Sequence, residues 1–378
     1  MKAVIAIDSF KGSLTSSEAG NAAAEGIRRV FPGADIVVRP VADGGEGTVQ
    51  ALVSGMNGEY VTAEVRDPLG RRITAEYGIL PGNTAVIESA AASGLTLLAE
   101  EERDPMETTT FGTGELILDA IGRGCRSFII GIGGSATNDG GTGCLQALGF
   151  GMLDSDGRPV GYGAKGLSQL SEITVGGALP ELRECSFHVA CDVTNPLCGE
   201  KGCSAVFAPQ KGAKDDDIPL MDGWLRRYAE LTRRIIPSAS PDTPGAGAAG
   251  GLGFALMYYL DAELSPGADL VMQQTGLEEA INDADIVITG EGCLDAQTVM
   301  GKAPVRVAGL AAKCGKPVIA FSGAVRSGAE LCNRHGIDAF FPVIRGVCTA
   351  GEAMCPENAA RNLADTAEQV FRTIKLFK

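Results

Sequence analysis

Five short stretches of this chain gather residue types that handle negative charge. They are Asp8-Ser9-Phe10-Lys11-Gly12-Ser13, Asp43-Gly44-Gly45-Glu46-Gly47-Thr48, Gly133 to Gly143 with Ser135 and Asp139, Asp192-Val193-Thr194-Asn195-Pro196, and Gly290-Glu291-Gly292-Cys293-Leu294-Asp295. Lys11, Ser9, Ser13, Ser135 and the glycine amides are donors suited to phosphate. The carboxylates among them suit a divalent cation or a proton. Phosphoryl transfer needs that inventory: donors spread the charge of the transferring group, carboxylates hold Mg²⁺, and one carboxylate takes the hydroxyl proton. Lys302, in Gly301-Lys302-Ala303-Pro304, offers a second phosphate contact, with Pro304 suited to a first helical turn. Each acidic residue taken alone reads first as a helix cap or turn residue. Their conjunction carries more than its members.

Other chemistries find little support. There are two histidines, His188 and His335, and no G-x-S-x-G elbow or Walker A sequence. A base is then a carboxylate. G-x-G-x-x-G occurs at Gly161–Gly166 and Gly245–Gly250, but neither follows a convincing strand, as a dinucleotide fingerprint must.

The elements that must position these residues follow from periodicity. Ala3 to Ile7 is an apolar strand, and Thr15 with Glu18 has the spacing of a capping box before a helix ending at Pro32-Gly33. Ile36 to Val41 predicts a second strand, and Asp43–Thr48 then leads into a helix through about Val53. Val61–Val65, Ile73–Ile79 and Thr84–Glu88, split by Asp67-Pro68-Leu69-Gly70 and Pro81-Gly82-Asn83, predict antiparallel hairpins. Phe128–Ile132 and Ser186–Cys191 are further strands. Asp285–Thr289, Lys316–Ser322 and Ala339–Val343 alternate with helices toward the carboxyl end. Two front strands and three back strands predict an α/β fold with one doubly wound parallel sheet from both chain ends, the middle, about 60 to 262, being an inserted second domain. Ligands of such sheets bind outside the strands' carboxyl ends, where the five stretches are expected to lie.

Composition bounds the setting. The chain has 378 residues, enough for two domains, and 45% hydrophobic content, enough for packed cores. Its net charge of −15 disfavours nucleic acid and anionic membranes as partners. An anionic ligand must therefore be held by local cations, amides or a metal. The apolar run before Asp8, Ala3–Ile7, is only five residues long, too short for a signal peptide, and the uncharged stretch Gly245–Leu260 is too short and glycine-rich to span a membrane. Eleven cysteines without a C-x-x-C pair read as thiols of a reducing, cytoplasmic setting.

Several separated motifs, in order and across essentially the whole chain, resemble the type 1 glycerate kinases. They are Asp8–Ser13, Ala42–Thr48, Gly131–Thr137 with Asp139-Gly140-Gly141, Ala190–Val193 with Asn195-Pro196, Pro209-Gln210-Lys211-Gly212, Gly290-Glu291-Gly292 with Asp295, Gln297 and Thr298, and Gly301-Lys302-Ala303-Pro304. The resemblance implies ATP-dependent phosphorylation of D-glycerate in small-acid catabolism, with 2-phosphoglycerate favoured as product and Mg²⁺ as metal. It implies a flavodoxin-like domain (1–59 and 263–378) and an inserted domain with a restriction-endonuclease-like sheet (60–262). A homodimer is compatible with it. On this reading Lys11 holds the transferring phosphate, with Asp8, Ser9, Ser13, Gly44, Gly45, Ser135, Asp139, Asn195 and Lys302 as substrate or phosphate contacts. Asp192 or Asp43 is the base, and Glu291, Asp295 and Glu46 lie near the metal. The chain departs from the family pattern at Cys293, where arginine is usual, at Ala296 for serine, and at Ile7 for proline. A nicotinamide-dependent hydroxy-acid reductase and a non-catalytic small-acid-binding protein are the other readings.

Overall fold

A computed structural model describes residues 1–45 and 47–377. Among them are strands β1 (Lys2–Ile7), β2 (Asp35–Val38), β3 (Glu59–Arg66), β4 (Arg72–Leu80), β5 (Thr84–Glu88), β6 (Ser127–Gly131), β7 (Gly151–Leu153), β8 (Glu172–Thr174), β9 (Ser186–Ala190), β10 (Glu263–Ser265), β11 (Ile286–Leu294), β12 (Val318–Val325) and β13 (Ala339–Pro342). The chain divides into two compact units. One takes Met1–Asp43, Gln50–Gly58 and the chain from Ala268 onward; the other takes Gly44–Val49 and Glu59–Gly267.

The first unit is a five-stranded sheet of order β13-β12-β11-β1-β2, with every neighbouring pair parallel. Alternation along β1 explains its burial on both faces. Ala3, Ile5 and Ile7 join one apolar cluster with Ala23 and Ile27 of the helix Ser16–Val30 and Leu363 and Phe371 of the helix Pro356–Lys375. Val4 and Ala6 join another with Ile281, Val307 and Ala311 from helices Leu277–Asn282 and Ala303–Lys313. Such two-sided burial is why the strand reads as an unbroken apolar run. The first helix begins as its sequence predicts: Thr15 Oγ1 accepts from the Glu18 amide at 3.1 Å and Glu18 Oε2 from the Thr15 amide at 2.9 Å. Gly26 lets it approach the last helix, because an added Cβ would stand 2.0 Å from the Ala364 carbonyl oxygen.

The second unit holds a six-stranded sheet of order β10-β9-β6-β5-β4-β3 and a small hairpin, β7-β8. Its β3-β4-β5 portion is antiparallel, as the turn residues require, and β5, β6, β9 and β10 run parallel. Phe128 and Phe187 are register partners on β6 and β9 and stack with centroids 4.8 Å apart.

Two local expectations need correction. The stretch Gly290–Leu294 is strand, not loop. β11 continues because β12 runs on to Val325 beside it, pairing Glu291 with Ser322 and Cys293 with Ala324. β2 stops at Val38, short of Val41. The long helix Pro356–Lys375 and the hairpin β7-β8 were not anticipated. No helix among the described residues is long and apolar enough to cross a membrane.

Candidate active site

In the first unit a cavity of about 520 Å³ opens at the carboxyl ends of β1, β11, β12 and β13. Asp8 follows β1 directly, its amide donating to the Gly290 carbonyl at 2.9 Å, so the sheet fixes the loop that starts there. The loop closes on itself through Ser13 and Leu14 amides donating to the Phe10 carbonyl. Ser16 anchors it from the helix: its Oγ donates to the Ile7 carbonyl at 2.5 Å and accepts from the Val41 amide at 2.9 Å. Asp8, Ser9, Lys11 and Ser13 all line the cavity, together with Asp43, Glu291, Cys293 and Lys302. Glu291 and Cys293 do so because alternate residues of a strand share a face.

The polar groups are organised as acid–cation pairs. Lys11 Nζ stands 3.3 Å from Asp43 Oδ2 and is well exposed. Lys302 Nζ lies 3.4 Å from Glu291 Oε2 and 4.0 Å from Asp295 Oδ1. Thr298 Oγ1 donates to Glu291 Oε1 at 2.6 Å. Asp8 is 6% exposed, and its carboxyl accepts from the Ser9 amide at 2.7 Å. Burial, reinforced by the neighbouring Asp43, pushes its pKa up to about 7, against the opposing pull of Lys11. Burial also raises Glu291, with Thr298 and Lys302 opposing. Ser13 Oγ is buried and has no hydrogen-bond partner among the described residues.

Arg326 also lines this cavity, two residues past Ala324, the register partner of Cys293. An arginine therefore lines the cavity although position 293 is not arginine. Periodicity gave no sign of Arg326, because nothing in its local sequence distinguishes it from a surface turn residue.

The remaining expected residues lie in the second unit. Gly44 has φ +86°, and a Cβ there would stand 2.5 Å from Gly267 Cα, so only glycine fits. Gly45 follows it, its carbonyl accepting from Thr48 Oγ1 at 2.8 Å. Asp192 is exposed and its Oδ1 accepts from the Gly267 amide at 3.2 Å. Asn195 Nδ2 donates to the Lys201 carbonyl at 2.8 Å. Asp139 is fully buried and accepts from the amides of Thr110, Gly141 and Gly143 and from Thr110 Oγ1. That pattern ties its loop together, a structural task. Glu46 lies outside the described residues.

Ser135 carries a partner that periodicity could not reveal. Lys211 is 2% exposed, and its Nζ donates to Ser135 Oγ at 2.8 Å and to the Thr137 carbonyl at 2.6 Å. Burial pulls its pKa down to about 8. A lysine accepting that cost orients the Ser135 oxygen and frees its proton to point elsewhere.

Among the described residues no group of three or more His, Cys, Asp or Glu is placed to hold a metal ion. Glu291 and Asp295, gathered around Lys302, still suit a Mg²⁺ that arrives on phosphates, since that ion uses one or two carboxylates and keeps several waters.

Comparison with known proteins finds matches along nearly the whole chain. The model of the family described as "Glycerate kinase family" matches residues 3–375. A glycerate kinase of Bacillus subtilis (strain 168) is 48% identical over 379 residues, covering 100% of this chain and 99% of that protein. A glycerate 2-kinase of Escherichia coli (strain K12) is 48% identical over 374 residues, covering 97% and 98%. A crystal structure from Salmonella typhimurium LT2, provisionally assigned as glycerate kinase 2, superposes with a TM-score of 0.92 at 46% identity, covering 100% and 98%. With matches of this length in sequence and in fold, the chain belongs to the glycerate kinase family.

Proposed function

We propose that this protein transfers the γ-phosphoryl group of ATP to D-glycerate, giving 2-phosphoglycerate. The observation that carries this reading is the cavity in the first unit. There Lys11, Lys302, Arg326 and an unpartnered Ser13 hydroxyl stand among Asp8, Asp43 and Glu291, in a chain whose relatives are named glycerate kinase and glycerate 2-kinase.

Lys11 Nζ and the Ser9–Ser13 donors hold the transferring phosphate. Asp43, paired with Lys11 at 3.3 Å, keeps the ammonium over the loop. Burial and Asp43 raise the Asp8 pKa to about 7, which favours its neutral form far more than for an ordinary carboxyl. A neutral carboxyl donates to a phosphate oxygen where a carboxylate would repel it. Lys302 meets a second phosphate. Glu291 and Asp295 would hold Mg²⁺, which would supply positive charge against the charge developing on the transferring phosphoryl group. In the second unit, Gly44, Gly45, Ser135 and Asn195 are the glycerate contacts, with Asp139 holding the loop that carries Ser135. One of Asp43 and Asp192 accepts the hydroxyl proton; the base is the one whose Asn variant loses kcat while KM for ATP stays put.

The strand order supports a flavodoxin-like first domain. Counted within its own unit the sheet runs 2-1-3-4-5, and ligands of that order bind at strand carboxyl ends. We assign this domain to the two chain ends, 1–59 and 263–378, and the inserted domain, with a restriction-endonuclease-like mixed sheet, to 60–262, except that Gly44–Val49 and the segment of β10 through Gly267 pack with the inserted domain's unit. The eleven cysteines, all unpaired, support a reducing, cytoplasmic setting.

A coupled ADP-release assay with D-glycerate and a panel of short hydroxy acids tests the reading. ADP release with D-glycerate, and little with the others, is expected. No release with any acid would remove it.

A further inference from the structure

The cavity of the first unit has two chemically different ends. The charged end is formed by the loop after β1 and the carboxyl end of β11. The opposite wall is apolar: Val343 and Ile344 follow β13, Ala350, Ala353 and Met354 come from the short helix Ala350–Met354, and Ala359 comes from the start of the last helix. Among these side chains sits Asn362, half-buried, whose amide makes no hydrogen bond among the described residues.

We infer that this apolar end seats the adenine of the nucleotide and that Asn362 reads the edge of the base. The inference rests on the kinase reading above, since the charged end is taken to hold the phosphates. Four observations carry it. At about 520 Å³ the cavity is within the ~300–1,000 Å³ range of small-molecule sites, so there is room beyond the phosphates. Alanines at 350, 353 and 359 leave a slot with shallow walls, which admits a planar ring. Met354 is 47% exposed although it lies in the apolar wall. A thioether there is an adaptable partner for an aromatic face. The same side chain reaches back to the phosphate loop, for a Cβ on Gly12 would stand 2.9 Å from the Met354 methyl. The two ends are therefore continuous.

The amide chemistry selects the base. Asn offers one acceptor and two donors. Adenine presents a donor and an acceptor side by side, N6–H and N7, which an Asn amide matches in bidentate fashion. Guanine presents two acceptors there, O6 and N7, and one of the two bonds is lost. Asn362 thus favours adenine over guanine nucleotides.

Two variants of the full chain test the assignment, with ATP and GTP as phosphoryl donors and with ADP binding followed by calorimetry. Asn362→Ala is expected to raise KM for ATP by roughly tenfold, the scale of one bidentate base contact. KM for D-glycerate should stay within about twofold of the wild-type value, and the preference for ATP over GTP should narrow by a similar factor. Ala353→Trp fills the slot and should abolish measurable ADP binding while melting at the wild-type temperature. Wild-type KM for ATP in both variants would overturn the adenine seat even if the enzyme phosphorylates glycerate normally. If the wild-type protein turns over no hydroxy acid yet binds ADP, and Ala353→Trp does not, the seat stands and the kinase reading falls.

Discussion

At the scale of single residues, Asp8 makes the sharpest physical statement. Its folded-state pKa is raised from 3.8 to about 7, first by burial and then by Asp43. For a carboxyl shifted upward, the folded protein binds more protons than the unfolded one between those values. The stability it lends is full below pH 3.8 and is lost as pH climbs through about 7. Asp8→Asn removes that loss. The variant should be more stable than wild type at pH 8, by on the order of a few kcal/mol, with the difference fading toward pH 4. Urea melts at the two pH values measure it; equal differences at both would show that Asp8 titrates like an ordinary carboxylate. Lys211 makes the complementary statement. Lys211→Met keeps the volume but leaves Ser135 Oγ and the Thr137 carbonyl without their donor. It should raise KM for D-glycerate with little change in KM for ATP, because the disturbance is confined to the loop of Ser135. Equal effects on both constants would contradict that confinement.

At the scale of elements, the two long helices of the first unit depend on one missing side chain. Gly26→Ala would thrust a methyl to 2.0 Å from the Ala364 carbonyl, and the overpacking should cost about 1–3 kcal/mol. Thr15→Ala, which breaks the capping box, should cost about 1 kcal/mol. Chemical denaturation ranks the two, and a neutral Gly26→Ala would mean the helices separate freely. Much of this architecture is legible in the residues. The apolar run Ala3–Ile7, the Thr15/Glu18 pair and the Asp67-Pro68-Leu69-Gly70 turn each declare a local structure, because short-range chemistry decides them. What escapes is set by neighbours. β11 reaches Leu294 only because β12 lies beside it, and two glycines in Gly290-Glu291-Gly292 argue locally for a loop. Asp8, Lys11, Ser13, Asp43, Glu291 and Lys302 were legible as charge-handling residues, and the fold brings them to one cavity. Arg326 and Asn362 were not, and Lys211 stood only as part of the motif Pro209-Gln210-Lys211-Gly212 with no role of its own, since a side chain becomes important there through where tertiary structure delivers it.

At the scale of the whole molecule, a chain of net charge −15 handles two anions. The cations proposed to meet them are few and local: Lys11, Lys302 and Arg326 line the cavity of the first unit, and Lys211 is buried in the second. The global field should keep the protein off DNA and anionic vesicles at ~0.15 M salt, which gel shift and flotation would register. Saturating ATP with Mg²⁺ should raise the melting temperature, since ligand at 100 times its Kd adds about 2.7 kcal/mol. The central claim is that the loop from Asp8 to Ser13 grips the phosphoryl group that ATP gives to D-glycerate. The most direct test is the turnover of Lys11→Ala in the ADP-release assay, read beside its melting temperature. Lys11 is 64% exposed and packs in no core, so its loss should leave the fold intact. The account predicts an unchanged melting temperature and a kcat lower by about 100-fold or more. A folded Lys11→Ala enzyme turning over D-glycerate at the wild-type rate would contradict it.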